Sequence, residues 1–189
     1  MGSQQKMISF PKHNKHISLV PLDPDHSEEY REARNDYATW RWCRQDEPIS
    51  ELQQDAWMKR QDADPTVKMY EINHMEERCD HDGSPLPVGV CGFTDIDYKN
   101  QRAEFSLYIM PEFRRKGYAG KSLKVLFRHG FQNLNFNMIW GETMDGNPAA
   151  TIFEKIGMKN TGYRPDFYFK EGKYWNASFW CMKREGGLK

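Results

Sequence analysis

The sequence has no net charge, no long apolar run and no regular cysteine spacing, and each absence excludes a class of protein. Its 189 residues carry 27 basic and 27 acidic side chains, a formal net charge of +0, so no overall field attracts nucleic acid or an anionic membrane. No apolar run approaches the roughly 20 residues of a membrane-spanning helix. Cysteines without framework spacing indicate reduced thiols, as in the cytoplasm. They are Cys43, Cys79, Cys91 and Cys181.

The first ten residues show neither a secretion signal nor a myristoylation motif. Residues 1–10 contain no apolar signal-peptide core, and Lys6 stands where a myristoylation site needs Ser or Thr. We therefore expect a cytoplasmic protein. The length, with no repeat or low-complexity linker, predicts a single domain over residues 15–185, preceded by a flexible lead at residues 1–14.

Hydrophobic periodicity predicts the order β-α-α-β-β-β-α-β-α-β-β, an α/β fold around one mixed, mostly antiparallel sheet. The sheet would have six to seven strands, flanked by about four helices. The predicted strands are His16–Leu22, Val67–Asn73, Val88–Ile96, the stretch from Ala103 to Met110, Met138–Glu142, Met158–Tyr163 and Tyr174–Met182. The predicted helices are Ser27–Thr39, Glu51–Arg60, one that follows Gly117, and Pro148–Ile156. In the second of these, the spacing places Leu52, Ala56 and Trp57 on the buried face. Charge and turn residues predict a long mobile hairpin loop at Met75–Pro87. Gly89 and Gly92, inside the strand that follows, indicate a bulge or close packing.

The chain is organised around one stretch, Ala103 to Gly120. Its first half alternates as a strand does and ends at Pro111, which cannot donate to a sheet ladder. A basic turn with glycine follows and leads into a helix, whose N terminus has about four unpaired N–H groups and partial positive charge. This turn therefore predicts a polyanion site, most simply for a pyrophosphate. The alternative for Arg114, Arg115 and Lys116 is a solvated helix start, although cations oppose the helix dipole there.

The wording of this turn differs from that of two common phosphate-binding loops. It contains neither G-x-G-x-x-G nor G-x-x-x-x-G-K-[ST]. It reads Arg114-x-x-Gly117-x-Ala119, which resembles the acetyl-coenzyme A signature [QR]-x-x-G-x-[GA] of the GNAT N-acetyltransferase superfamily. Downstream, residues 147–158 resemble the N-x-x-[AS]…E-K-x-G-[FM] segment of that family, and residues 172–176 resemble its last hairpin.

This resemblance, which runs from about Val88 to Lys183, implies the fold and the acyl donor. The sheet would splay between the fourth and fifth strands, which begin at Glu104 and Met138, and acetyl-coenzyme A would lie in the splay. Backbone N–H groups of the turn would wrap the pyrophosphate, and the preceding strand would pair with the pantetheine arm. The residues implied at the cofactor are Leu107, Tyr108, Ile109, Arg114, Arg115, Lys116, Gly117, Tyr118, Ala119, Gly120, Lys121, Asn147 and Phe153. An exposed helix lysine is the alternative for Lys121, and Asn147 is also a natural helix cap.

Acetyl transfer to an amine needs a base for the ammonium proton and donors for the oxyanion. The resemblance implies Glu104 as the base, with a solvent-facing edge glutamate as the alternative. Glu142, at the end of the fifth strand, faces the other side of the splay and is the second candidate. Phe153 stands where the family has a proton-donating tyrosine. Besides water, its substitutes are Tyr163, Tyr168 and Tyr174.

Two further groups of residues bear on ligands. His74, Cys79 and His81 have neither zinc-site spacing nor a fourth ligand, so we expect no metal.

The resemblance implies that the first two helices and the last hairpin choose the acceptor. Their aromatic and arginine side chains either stack on a sugar, nucleobase or peptide or pack as an ordinary core. The residues named in the two regions are Trp40, Arg41, Trp42, Arg44, Arg164, Asp166, Tyr168 and Trp175.

The expected function is an N-acetyltransferase that moves an acetyl group from acetyl-coenzyme A to a primary amine of a small molecule or amino sugar. The amine would attack directly in a ternary complex. One alternative is a protein N-terminal acetyltransferase, because Arg34 to Trp57 resembles the branch that acetylates ribosomal-protein N termini and nucleotide-linked amino sugars. The other is a non-catalytic coenzyme A binding module. We expect a monomer or homodimer with neither nucleic-acid nor membrane partners.

Overall fold

The computed structural model describes residues 7–9, 16–78 and 83–186. These residues form one seven-stranded sheet in the order β1-β2-β3-β4-β5-β7-β6, with five helices. The strands are β1 (Ile17–Pro21), β2 (Lys68–Arg78), β3 (Pro85–Asp97), β4 (Arg102–Ile109), β5 (Met138–Met144), β6 (Lys159–Lys170) and β7 (Lys173–Lys183). The helices are α1 (Ser27–Asn35), α2 (Tyr37–Trp40), α3 (Glu51–Ala63), α4 (Tyr118–Gln132) and α5 (Ala149–Ile156). The mixed α/β fold is as expected, and so is the element order except that the first predicted helix is divided in two.

The sheet splays between β4 and β5, the one parallel pair of neighbours among the described strands. Their register has three pairs and ends where Glu104 faces Trp140. Beyond that point β4 continues to Ile109 and β5 to Met144. The facing edges therefore separate, and the divergence opens a cleft in the sheet where the resemblance implied one.

Helix α4 places the basic turn at this cleft. Its apolar side, which includes Leu123, Leu126 and Phe127, is buried against the sheet. Phe105 of β4 lies edge-on to Phe127 and to Phe153 of α5, with ring centroids 5.2 Å and 5.0 Å apart. This aromatic core fixes the start of α4 beyond the C-terminal end of β4.

The predicted helix Ser27–Thr39 is wrong at one point, because Asp36 divides it into α1 and α2. Asp36 has an extended ψ of 130°, and its carboxylate pairs with Arg114 Nη1 at 2.7 Å. The Arg114 guanidinium also donates to Thr39 Oγ1. A partner this distant in the chain leaves no trace in helical periodicity, so the sequence pattern did not reveal the break.

The predicted buried face of α3 is also wrong. Leu52, which the helical spacing placed inside, is 82% exposed, whereas Gln54 is 1% exposed. A capping box at Ser50 fixes where the helix starts, and α3 contacts α1 with Gln54 buried and Leu52 in solvent. With few apolar residues in α3, periodicity does not determine which side faces inward.

The predicted loop Met75–Pro87 is shorter than expected. Strand β2 continues to Arg78 and β3 begins at Pro85, and these two residues face each other in the register. Pairing with β3, with a register shift between His74 and Arg78, thus extends into a segment whose charge suggested a loop. Residues 79–82 lie outside the described part. Of the predicted lead, residues 7–9 are described, and Ile8 exchanges backbone hydrogen bonds with Leu19 at 2.8 and 2.9 Å.

We expect Ser50→Ala to lower the free energy of unfolding by about 1 kcal/mol. The Ser50 hydroxyl accepts from the Gln53 N–H at 3.3 Å, and Gln53 Oε1 accepts from the Ser50 N–H at 2.8 Å. Alanine removes one partner and leaves a helix N–H without its cap. Urea denaturation measures the loss, and Ser50→Asp, which retains an acceptor, should restore most of it. Equal stability of the alanine variant and the wild type would contradict this account.

No described helix has both the length and the apolar composition that crossing a membrane would require.

Candidate active site

Two carboxylates stand at the point where the sheet opens. Glu104 is in the last residue pair of β4 and β5, and Glu142 follows on β5 two residues after the pair ends. Their side chains are only 12% and 7% exposed. Glu104 is therefore not a solvent-facing edge glutamate, and the two predicted acid–base residues lie together.

Arg44 joins these carboxylates. Its Nη1 donates to Glu104 Oε2 at 3.1 Å, its Nη2 donates to Glu104 Oε1, and the same Nη2 lies 3.4 Å from Glu142 Oε2. Arg164 Nη1 approaches Glu142 from the other side at 3.5 Å. Two positive and two negative charges thus meet in one cluster.

The environment of Glu104 favours its neutral form more than water does. Burial raises the pKa of the Glu104 carboxyl above its usual range, and the nearby Glu142 carboxylate adds to the rise. The hydrogen bonds and positive charge of Arg44 oppose it. A carboxylate with a raised pKa is a stronger base than an exposed one, which suits proton abstraction from an ammonium group.

Of the three candidate tyrosines, Tyr168 belongs to this cluster. Its hydroxyl donates to Glu142 Oε2 and accepts from Arg44 Nε, the latter at 3.0 Å. Burial and the hydrogen bond to Glu142 raise the pKa of Tyr168 to about 12, so the phenol keeps its proton at neutral pH. Tyr163 and Tyr174 are both exposed on the β6–β7 hairpin.

Lys170 fixes the segment that carries Arg44. This buried lysine at the end of β6 donates to the carbonyl oxygens of Cys43 and Gln45, at 2.6 Å each. Its Nζ also lies 4.3 Å from the ring centroid of Trp40. The last hairpin therefore holds the connection between α2 and α3 across the cleft, with the Arg44 backbone anchored on both sides.

The turn before α4 has the backbone shape of an anion-binding loop. Arg115 and Gly117 have positive φ angles of 62° and 83°, and within the described residues no side chain caps the helix that begins at Tyr118. Backbone in this conformation aims successive N–H groups at one point. A Cβ built on Gly117 meets nothing within 4 Å, so the approach is open.

The cations of this turn have different surroundings. Besides Asp36 and Thr39, the Arg114 guanidinium contacts the Ile109 carbonyl oxygen through its Nε at 3.3 Å. Its charge is therefore used within the protein. Lys116 Nζ lies 5.3 Å from the Phe113 ring centroid, and Lys121 Nζ lies 6.0 Å from that of Tyr118. Both lysines therefore lie over aromatic rings on either side of Gly117.

The other predicted cofactor residues divide between the cleft and the core. Leu107, Tyr108 and Ile109 pair with β3, and their opposite backbone edge lies beyond the register with β5. Asn147 Oδ1 accepts from the Ala149 N–H at 2.9 Å, which realises the helix-cap alternative. Phe153 is buried against Phe105 and against Trp180, whose ring centroid is 5.9 Å away, so it belongs to the core.

Aromatic side chains form the wall on the side of the last hairpin. Trp42 lies edge-on to Trp175 at 6.1 Å between ring centroids, and Arg41 stacks over Trp42 at 4.8 Å. Of the residues named from the sequence, Arg41, Trp42 and Trp175 thus pack on one another.

The residues considered for zinc are only partly described, because Cys79 and His81 lie outside the described ranges. His74 instead groups with His16 and Glu76, and one ligand atom from each lies within 4.8 Å of the other two. His16 Nδ1 pairs with Glu76 Oε2 at 2.9 Å. These are the described residues that could hold a metal ion.

Residues 16–159 match the model of the acetyltransferase (GNAT) domain family. The chain belongs to this family. A spermidine N(1)-acetyltransferase of Escherichia coli K12 is 30% identical over 96 residues, which are 50% of this chain and 52% of that protein. The chain thus spans about half the length of this GNAT relative. A putative ribosomal N-acetyltransferase of Bacillus subtilis is 25% identical over 178 residues, 92% of this chain and 95% of that protein.

A solved GNAT structure has the same fold. The spermidine N-acetyltransferase of Vibrio cholerae, crystallised with CoA and spermine, superposes with a TM-score of 0.82. The match covers 92% of this chain and 98% of that one, at 18% sequence identity. At this identity the likeness concerns the fold, including its open sheet.

Sequence reasoning missed the contacts that join the elements of this GNAT site. Arg44 was assigned to the acceptor region but not to Glu104, which is 60 positions away. Lys170 was not singled out, and its acceptors lie 127 and 125 positions earlier. A lysine at a strand end has no local signature of such a role.

Proposed function

We propose that this protein transfers an acetyl group from acetyl-coenzyme A to the primary amine of a small molecule, in the cytoplasm. The observation that carries the proposal is the pair of buried carboxylates, Glu104 and Glu142, at the opening of the sheet. A mostly buried base on the strand that leads into a loop shaped for a pyrophosphate provides what acetyl transfer to an amine requires.

The cleft fits the acyl donor in two respects. The turn with Arg115 and Gly117 in the left-handed region offers backbone N–H groups and a positive helix end to the pyrophosphate. The edge of β4 beyond Glu104 is not paired with β5 in the register of the described strands, so it can take the pantetheine arm as an added strand. The backbone, rather than Arg114, would provide most of the anion contacts.

The chemistry then needs few protein groups. An acceptor ammonium gives a proton to Glu104, and its nitrogen forms a bond to the acetyl carbon while the carbon–sulfur bond breaks. The sulfur leaves as a thiolate and takes a proton, and the acylated nitrogen, which still carries two protons, releases one of them to give the neutral amide. Tyr168, protonated and hydrogen-bonded to Glu142, is the best placed of the candidate tyrosines to supply that proton. We assign no reacting role to Phe153, because its ring lies in the core.

The acceptor class has support from the relatives. Two bacterial enzymes that are similar to this chain are named spermidine N-acetyltransferases. A small alkylamine is therefore the leading acceptor. The nearly full-length match to a putative ribosomal acetyltransferase favours a protein N terminus as the second candidate.

A thiol-release assay tests both candidates. Acetyl-coenzyme A would be offered with spermidine, amino sugars and short peptides that have free N termini. We expect turnover with the small amines and little with the peptides. Turnover with peptides alone would favour the second candidate, and cofactor binding without turnover across the panel would favour a non-catalytic binding module.

The pH dependence should follow the Glu104 carboxyl. Because the base must be ionised, kcat/KM should fall as pH is lowered through its pKa. The environment raises that pKa, so the fall should be centred above about 4.3, the ordinary value for glutamate. A pH profile of kcat/KM measures it. A midpoint at or below the ordinary value would contradict the assignment of Glu104.

A further inference from the structure

The Arg44 guanidinium, a positive charge of the protein itself, is bound to Glu104, the side chain to which the proposed acceptor has to give its proton. The Arg44 guanidinium directs N–H groups to Glu104, Glu142 and Tyr168, the three side chains to which the proposed reaction assigns proton transfers or their support. An alkylammonium group also carries one positive charge and N–H donors. The partners that bind the guanidinium can therefore bind an ammonium group.

The cluster needs such a cation. Glu104 and Glu142 are mostly buried, and two carboxylates in one site do not both stay ionised without a counter-ion. If Arg44 leaves, an incoming ammonium restores the balance, so the exchange is neutral in charge. If Arg44 stays, an ammonium brings an additional positive charge to a cluster in which Arg44 and Arg164 already balance the two carboxylates.

Arg44 can leave without unfolding its segment. The backbone on both sides is held by Lys170, whereas the Arg44 side chain is 53% exposed. Rotation of the side chain towards solvent breaks its contacts with the carboxylates and leaves the Lys170 contacts intact.

We propose that Glu104, Glu142 and Tyr168 form the subsite for the acceptor's ammonium group, and that Arg44 fills it until a cationic alkylamine displaces the guanidinium. This assignment rests on the proposed acetyl transfer and specifies its acceptor. Amines that carry an anionic group close to the ammonium group bind less tightly, because their net charge does not replace the positive charge of Arg44. Di- and polyamines are therefore the preferred class.

Binding of 1,4-diaminobutane to the coenzyme A complex tests the displacement. Titration calorimetry would compare the wild type with Arg44→Ala, well above the acid limb of the pH profile. Removal of an internal competitor raises the binding-competent fraction, and for a fraction on the order of 10% the apparent Kd falls about tenfold. Arg44→Lys, which keeps a shorter competing cation, should give a smaller fall. Arg102→Ala, which removes an arginine of similar exposure that is paired with Asp97 at 3.3 Å, should leave the Kd unchanged.

Two outcomes would overturn the displacement. An unchanged Kd in Arg44→Ala means that the guanidinium and the acceptor do not share a place. A higher Kd means that Arg44 itself binds the acceptor, and glucosamine 6-phosphate, an anion-bearing amine, would then show the larger loss. Thiol release by the wild type separates the two levels: if no amine is acetylated, the proposed function fails, whereas turnover with an unchanged or higher Kd refutes only the displacement.

Discussion

Replacing Glu104 by glutamine is expected to lower kcat/KM by about 10²- to 10⁴-fold, the usual range for loss of a general base. Glutamine keeps the size of the side chain and one oxygen acceptor for Arg44, but it takes no proton from an ammonium group at neutral pH. The loss should therefore fall on turnover, while the Kd for coenzyme A stays the same. Thiol-release kinetics and calorimetric titration of coenzyme A measure the two quantities separately.

Glu142→Gln is the matched control, because it makes the same change in the facing carboxylate. Glu142 is hydrogen-bonded to Tyr168 and lies on the other strand of the cleft, so we expect a smaller loss. A larger loss in Glu142→Gln would reverse the two roles. Nearly full turnover in Glu104→Gln, with the variant folded, would refute Glu104 as the base.

Replacing Gly92 by alanine should lower the free energy of unfolding by about 3 kcal/mol, at the upper end of what overpacking usually costs. A Cβ at Gly92 would lie 2.3 Å from the Lys68 carbonyl oxygen and 2.7 Å from Met69 Cα. Both atoms belong to the backbone of β2, which cannot rotate away as a side chain can. Strand β2 must shift instead, and β3, which carries Gly92, is paired with β4 on its other side.

Gly120→Ala makes the same chemical change at a tolerant position. The nearest atom to a Cβ there is Ile152 Cγ2 at 3.6 Å, an ordinary contact. Alanine is also favoured over glycine within a helix, so stability should stay the same or rise by about 0.5–1 kcal/mol. Urea denaturation gives both values. A Gly92→Ala midpoint equal to that of Gly120→Ala would show that β2 yields more easily than its geometry indicates.

The sequence indicated a close approach at Gly92, although not that β2 makes it. Glycines 89 and 92 inside an apolar strand pattern indicated a bulge or close packing, and the structure has close backbone contacts at both positions. It also has a register shift between Ile72 and Asn73, next to the residue that faces Gly89. The sequence did not reveal which strand comes close, because glycine marks the need for space and not the neighbour that uses it.

The sequence by itself determined what depends on a few neighbouring residues. Strand alternation up to Met110, the stop at Pro111 and the helix start after Gly117 act within a turn or two of the chain. The basic turn was therefore placed correctly between β4 and α4, and the order of strands and helices followed from the same local signals.

Only the tertiary structure decided how those elements are joined. Asp36 breaks the first helix and pairs with Arg114, Gln54 is buried in place of Leu52, and Arg44 reaches Glu104 and Glu142 across 60 and 98 positions. Each of these features results from packing or charge pairing between segments that are distant in sequence. Such contacts stabilise the chain only after folding has brought the segments together. Periodicity and motif spacing carry no record of them, which is why the candidate carboxylates were found in the sequence and their shared guanidinium was not.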